Sequence, residues 1–280
     1  MKRNLLLLVA IFIAGSMSAQ LYVGARVGYG FGAQKYAVGF TQTDDYKENI
    51  WGSMGQGLPM GLKVGYYFND NLGIELGINY WIGAEQTAAD VNVSAYPLSP
   101  GVYATDFTNV TTAKSSQLRM MPQLVYKSDM GIYGRFGMVI PVSGKTIVSS
   151  TTEFKMPLSG DPMKMEEETE YKGTFAIGFA GAFGYAYELS DNMHLFGEME
   201  YISLTIKGKT SEITKSSTND QDQLPSMSTY EKQTNYVDKL DKDSNVLGGT
   251  NYDKSKPLDK LRTSTVYSSL RFNVGITMAF

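Results

Sequence analysis

The sequence predicts an all-β chain that closes into an eight-stranded antiparallel transmembrane β-barrel, with three short periplasmic turns and four long extracellular loops. Three observations predict it. Apolar residues alternate with small or charged ones in eight segments near the barrel-strand length of about 9–11 residues. The links between those segments alternate strictly between short and long, the pattern of bacterial barrels. The 280 residues include 29 Gly and 19 Tyr but only 9 Pro and no Cys. Such a composition suits many strands and aromatic belts, and it leaves no disulfide framework to stabilise an exported chain.

The first residues set the compartment. Lys2 and Arg3 form a positive n-region, Leu5 to Ala14 an apolar run of ten residues, and Ser16, Ser18 and Ala19 a small-residue cleavage region. The run is too short for a spanning helix, which needs about 20 residues. A signal peptide is therefore expected over 1–19, cleaved after Ala19 or after Ser18, with the barrel domain over 20–280. Without Lys2 and Arg3 the chain carries 23 Lys and Arg against 28 Asp and Glu, a net charge of −5. That balance argues against a nucleic-acid partner, which would want a basic stripe.

The strands are expected near 21–31, 59–68, 72–82, 117–126, 131–142, 174–188, 193–206 and 265–280. In the first, Leu21, Val23, Val27, Tyr29 and Phe31 alternate with Gly24, Arg26, Gly28 and Gly30. The second sets Met60, Leu62 and Val64 against Gly61, Lys63 and Gly65, and the third sets Ile74, Leu76 and Ile78 against Glu75, Gly77 and Asn79. In the fourth and fifth, Leu118, Leu124, Phe136 and Met138 oppose Arg119, Gln123, Arg135 and Val139. The sixth sets Phe175, Ile177, Phe179 and Phe183 against Gly178, Ala180, Ala182 and Gly184; the eighth sets Leu270, Phe272, Val274 and Ile276 against Arg271, Asn273 and Gly275. Tight turns near 69–71, 127–130 and 189–192 join hairpins, and the other links, about 32–56, 84–114, 144–172 and 207–263, are long and polar.

Two places break the pattern. Pro122 falls on the lipid face of the fourth strand, where a closed barrel has no edge to hide a missing N–H, so a bulge or kink is expected there. In the seventh strand the apolar residues are odd at Met193, Leu195, Met199 and Tyr201 but even at Ile202, Leu204 and Ile206. A phase slip near 201–202 is expected, as a bulge or as strand continuing above the bilayer. The fourth loop holds ten Lys and Arg against nine Asp and Glu and has little apolar content, so much of it is expected to be mobile.

These residues resemble the OmpA/OmpX-type family of small outer-membrane barrels, specifically the porin-family outer-membrane β-barrel domain. The features that carry the likeness are the export signal, eight strands, three short turns, four long loops and the terminal strand TVYSSLRFNVGITMAF. The resemblance implies a bacterial outer-membrane location amid lipid and lipopolysaccharide. It also implies that Phe280, ending a strand apolar at 274, 276 and 278, is the assembly signal read by barrel-assembly machinery.

By strand parity the inward charges are Arg26, Lys63, Arg119, Arg135 and Arg271 against Glu75, Glu188, Glu198 and Glu200. An eight-stranded barrel is just wide enough to be filled by side chains, and buried charges need partners. A lumen salt-bridge network is therefore expected. In it Glu198 and Glu200 face Arg271, with Arg26 beyond, and Lys63 and Glu75 lie diagonally across the first hairpin.

No catalytic, cofactor-binding or metal site is expected. His194 is the sole histidine and lies at the periplasmic end, and a base needs a placed nucleophile. The carboxylates Asp161, Glu166, Glu167, Glu168 and Glu170 form an acidic run, read as a solvated face rather than a calcium site.

The function expected is a non-enzymatic barrel with a largely plugged lumen, serving envelope structure or binding a surface ligand or protein partner through its loops. A narrow porin-like channel is the alternative, told apart by conductance. A barrel subunit of a secretion or adhesion assembly is the second, told apart by a co-purifying partner.

Overall fold

The computed structural model describes residues 21–33, 36–157, 159–249 and 251–280; the expected signal segment lies outside them. Seventeen strands follow in chain order. They are β1 (Leu21–Gly32), β2 (Tyr36–Gln42), β3 (Lys47–Gly52), β4 (Gly57–Tyr67), β5 (Leu72–Gly83), β6 (Gln86–Ser99), β7 (Val102–Lys127), β8 (Ile132–Lys155) and β9 (Pro162–Gly173). After them come β10 (Gly178–Ser190), β11 (Met193–Ser203), β12 (Thr205–Thr218), β13 (Gln221–Asp222), β14 (Gln233–Val237), β15 (Leu258–Leu261), β16 (Ser264–Val266) and β17 (Ser269–Ala279).

Eight of these close a barrel. The antiparallel order is β1-β4-β5-β7-β8-β10-β11-β17, and β17 returns to β1 over the register Tyr22↔Ala279 to Gly32↔Ser269. Closure satisfies the backbone of every strand without an edge, which lipid requires because it offers no hydrogen-bond partner. The side chains sort by parity, as alternation dictates. Leu62, Ile78, Leu124, Phe136, Phe183 and Phe272 are exposed on the outside, a greasy face that only lipid would cover. Aromatics gather at its two rims: Phe68, Tyr126, Tyr187 and Phe280 at the short-turn end, and Tyr29, Phe31, Tyr80 and Tyr201 at the other.

The long connections are mostly strand. β7 runs for 26 residues and β8 for 24. At about 3.4 Å per residue, 26 residues reach about 88 Å, far beyond an apolar band about 25 Å tall. Their upper halves pair with β6 and β9 and project past the membrane. A separate cluster of Val91, Val93, Ala104, Phe107 and Phe154 stabilises the tip. Part of the fourth link, expected to be largely mobile, is built into the same sheet, while the described residues of 238–257 hold no strand. β12 pairs with β9, β14 and β16, and β14 pairs in parallel with β15. Its polar strands are held by the edge that β9 already offers, so it does not need a core of its own.

The two irregular places turn out differently: no bulge lies at Pro122, and at 201–202 the strand continues upward from β11 into β12, one of the two forms expected. At Pro122, β7–β8 pairing skips Met121 and Pro122 and resumes at Gln123↔Gly137 in the same register, while Leu76↔Pro122 stays in line on the other side. The bulge lies higher, between Leu118↔Ser143 and Arg119↔Pro141, with Val142 the extra residue. No phase slip occurs near 201–202. Leu195, Met199 and Tyr201 stay outside, while Phe196, Glu198, Glu200, Ile202, Leu204 and Ile206 all point inward. What changes there is the lumen, which turns from ionic to apolar.

Candidate functional site: a filled lumen beneath an open vestibule

The lumen is layered. Inward positions of five barrel strands, β1, β4, β5, β8 and β11, bring charged side chains to one level, and each is buried; β17 adds the neutral Asn273. Glu198 is a convergence point. Its Oε1 accepts from Arg26 Nη1 at 2.7 Å, Arg135 Nη2 at 2.6 Å and Asn273 Nδ2 at 3.0 Å, and its Oε2 from the Tyr133 hydroxyl at 2.8 Å. Glu200 Oε1 accepts from Arg26 Nη1 at 3.0 Å and Arg135 Nη2 at 3.4 Å. Glu75 takes Arg135 Nη1 on one oxygen, and on the other the Tyr22 hydroxyl at 2.9 Å and Lys63 Nζ at 3.2 Å. Neutral side chains finish the set: Arg26 Nε donates to Asn79 at 3.0 Å and Arg135 Nη1 to Gln123 at 2.9 Å. A carboxylate with several donors recovers in charge-assisted bonds what it loses in hydration.

The expected residues divide into three groups. Arg26, Lys63, Glu75, Arg135, Glu198 and Glu200 meet in this cluster. Arg119 and Arg271 are buried above it and stand largely apart. Arg271 comes no nearer to Glu200 than 3.8 Å, and Arg119 lies over the Trp81 ring at 4.6 Å. Glu188 is a correction: it still pairs with His194 in the regular ladder, but it lies at the short-turn rim, where it is exposed and outside the buried network. The described lumen therefore holds five buried cations against three carboxylates. Sequence reasoning missed Tyr22, Tyr133, Asn79, Gln123 and Asn273 as members; their signal was parity, because each shares the inward face of its strand.

Above the charges lies an apolar layer of Trp81, Val139, Ala180, Ile202, Leu204 and Tyr267. The chain between β3 and β4 folds into it. Met54 is buried there, its N–H donating to Val266 O at 3.1 Å, and Ser53 Oγ donates to Ser268 O at 2.7 Å. Over this floor opens a cavity of 870 Å³, walled by Tyr171, Tyr236 and Tyr267 and by Lys145, Lys172, Lys207 and Lys209, with no Asp or Glu in its lining. At the periplasmic end lies a 60 Å³ recess, bordered by Lys63, Glu75, Lys127 and His194. His194 Nε2 is 3.4 Å from Lys127 Nζ.

The acidic run lies on β9, outside the barrel. Glu166 contacts Lys164 at 2.8 Å and Lys215 at 3.0 Å, and these two ammonium groups hold its carboxyl down at about 2. Glu170 contacts Lys145 at 2.8 Å and Lys172 at 3.2 Å and is likewise lowered, chiefly by Lys145.

A closed antiparallel barrel with a greasy exterior, a charged interior and short turns at one end defines an integral outer-membrane β-barrel protein. The chain belongs to the outer membrane protein beta-barrel domain family, which it matches over residues 5–230. That family places it in the outer membrane. Among solved structures it is similar to Neisserial surface protein A, at 10% identity and a TM-score of 0.35, covering 94% of this chain and 99% of that one. It is similar to OprG from Pseudomonas aeruginosa, at 12% identity and a TM-score of 0.40, covering 94% and 96%. It is also similar to CarO2 from Acinetobacter baumannii, at 14% identity and a TM-score of 0.35, covering 93% and 99%. No curated protein matches it.

Proposed function

We propose that this chain is a non-enzymatic outer-membrane barrel with a largely plugged lumen that binds an anionic surface ligand at its extracellular vestibule. The observation that carries the reading is the cross-section at Glu198, where Arg26, Arg135, Asn273 and Tyr133 meet on one carboxylate and fill the bore. An eight-stranded barrel has no width to spare around such a cluster. Binding then belongs to the vestibule, which sits on a rigid wall as loop-borne sites do. Its four lysines and lack of carboxylates favour an anionic ligand. Lys145 and Lys172 are already engaged by Glu170, so among the described lining residues Lys207 and Lys209 are the cations left to act. In this reading lipid and lipopolysaccharide surround the wall, and Phe280 serves assembly machinery.

The binding half is tested by passing the folded barrel, in a non-ionic detergent, over immobilised heparin at low salt. Retention of a protein with net negative charge, weakened by added salt and by Lys207→Gln with Lys209→Gln, is the expected result. Passage of the unaltered barrel without retention contradicts an anion-binding vestibule.

A further inference from the structure

The lumen carries two more cations than carboxylates, and the excess is localised. Arg26, Arg135 and Lys63 are matched by Glu75, Glu198 and Glu200. Arg119 and Arg271 are anchored alike, each by Nε to a side chain two residues earlier on its own strand: Gln117 Oε1 at 2.9 Å and Ser269 Oγ at 2.9 Å. That leaves Nη1 and Nη2 of both guanidiniums buried with no hydrogen-bond partner among the described residues. The indole Nε1 of Trp81, whose ring faces Arg119, is in the same condition. All three side chains are 0% exposed.

Buried donors without acceptors are costly, and a pair of like charges in a dry interior is costlier still. Glu200 relieves them only in part: its Oε1 is shared by Arg26 and Arg135, and its Oε2 makes a 3.8 Å ion pair with Arg271 Nη1 but no hydrogen bond. A short chain of contacts links the two: Asn79, the strand partner of Arg119, accepts from Arg26, Arg26 pairs with Glu200, and Glu200 lies 3.8 Å from Arg271. The remedy chemistry offers is an anion among the five donors. Because all three side chains are closed off from solvent, the occupant is compact. Gln117 and Tyr267, which touch Arg119 and Trp81, form part of the vestibule floor and stand between the site and the outside.

We infer that Arg119, Arg271 and Trp81 form a buried binding site for a small monovalent inorganic anion of the halide class, set between the ionic cluster and the vestibule. The site is separate from the vestibule lysines and stands whether or not these bind a surface ligand.

Trp81 makes the site self-reporting. The chain has two tryptophans, and Trp51 is exposed, so Trp51→Phe leaves Trp81 alone. The variant is refolded in iodide, a heavy-atom quencher, or in fluoride at the same ionic strength, and then titrated with chloride. The expected result is a saturable loss of Trp81 emission in iodide that chloride reverses, while neutral acrylamide has little effect. Adding Arg271→Gln should abolish the loss if the variant folds; the measurement on the Trp51→Phe protein decides the matter without it. Quenching that is absent after refolding in iodide, or that is linear and indifferent to chloride, overturns the inference and leaves those donors to water.

Discussion

Two arginines, an asparagine and a tyrosine converge on Glu198, so it is the residue whose loss the lumen should feel most. Glu198→Ala leaves Arg26 and Arg135 short of a partner in a dry interior, an expected cost of about 3–5 kcal/mol. Urea unfolding of the refolded barrel in lipid measures it. Glu188→Gln is expected within about 0.5 kcal/mol of the unaltered protein in the same assay, because Glu188 is exposed and outside the cluster. The inward set was legible in the sequence because parity needs only the strand and its phase. Which charges pair was not. Arg135 reaches across the bore to Glu75, Glu198 and Glu200, and that choice depends on side-chain length and strand stagger, which alternation does not encode. Glu188 was misread for a different reason: parity gives the side of the sheet but not the depth, and Glu188 is the last residue in register at the exposed short-turn rim.

The hairpin arms are elements with their own stability. At the tip Phe107 stacks on Tyr96 at 4.1 Å and contacts Phe154 at 6.1 Å. Phe107→Ala should cost the tip about 3 kcal/mol. Limited proteolysis should then cut within 90–109 while the barrel's unfolding midpoint stays put; a midpoint that falls as well would mean that tip and barrel form one cooperative unit. The β9–β12 edge should respond to acid. The Glu166 carboxyl is lowered from 4.5 to about 2 in the folded protein, so its contribution is complete above about 4.5 and is lost as pH falls toward 2. Amide protection of β9 should decline across that window, and Glu166→Gln should flatten the decline. The eight membrane strands were legible because lipid enforces a strict two-sided pattern. The arms were not. Outside the membrane both faces meet water, so Val102–Ser116 and Lys145–Lys155 carry no such pattern and read as polar loop. The inward turn of Ile202, Leu204 and Ile206 looked like a slipped phase because apolar side chains were assigned to lipid, whereas here they roof the charged lumen.

For the molecule as a whole, the function proposed above divides the labour by layer: a greasy wall for the outer membrane, an ionic cluster in the bore, an apolar roof over it, and an open vestibule carried on strands that rise well past the bilayer. A channel would need a continuous polar path through cluster, roof and vestibule. On that proposal the roof of Trp81, Ile202, Leu204 and Tyr267 and the knot at Glu198 interrupt it twice. The measurement that tests this most directly is conductance of the refolded barrel in a planar bilayer, with insertion verified separately. The account predicts no resolved steps from the inserted protein across the usual voltage range. Steady, uniform steps from the unaltered barrel would contradict it and make the lumen a path instead of a plug.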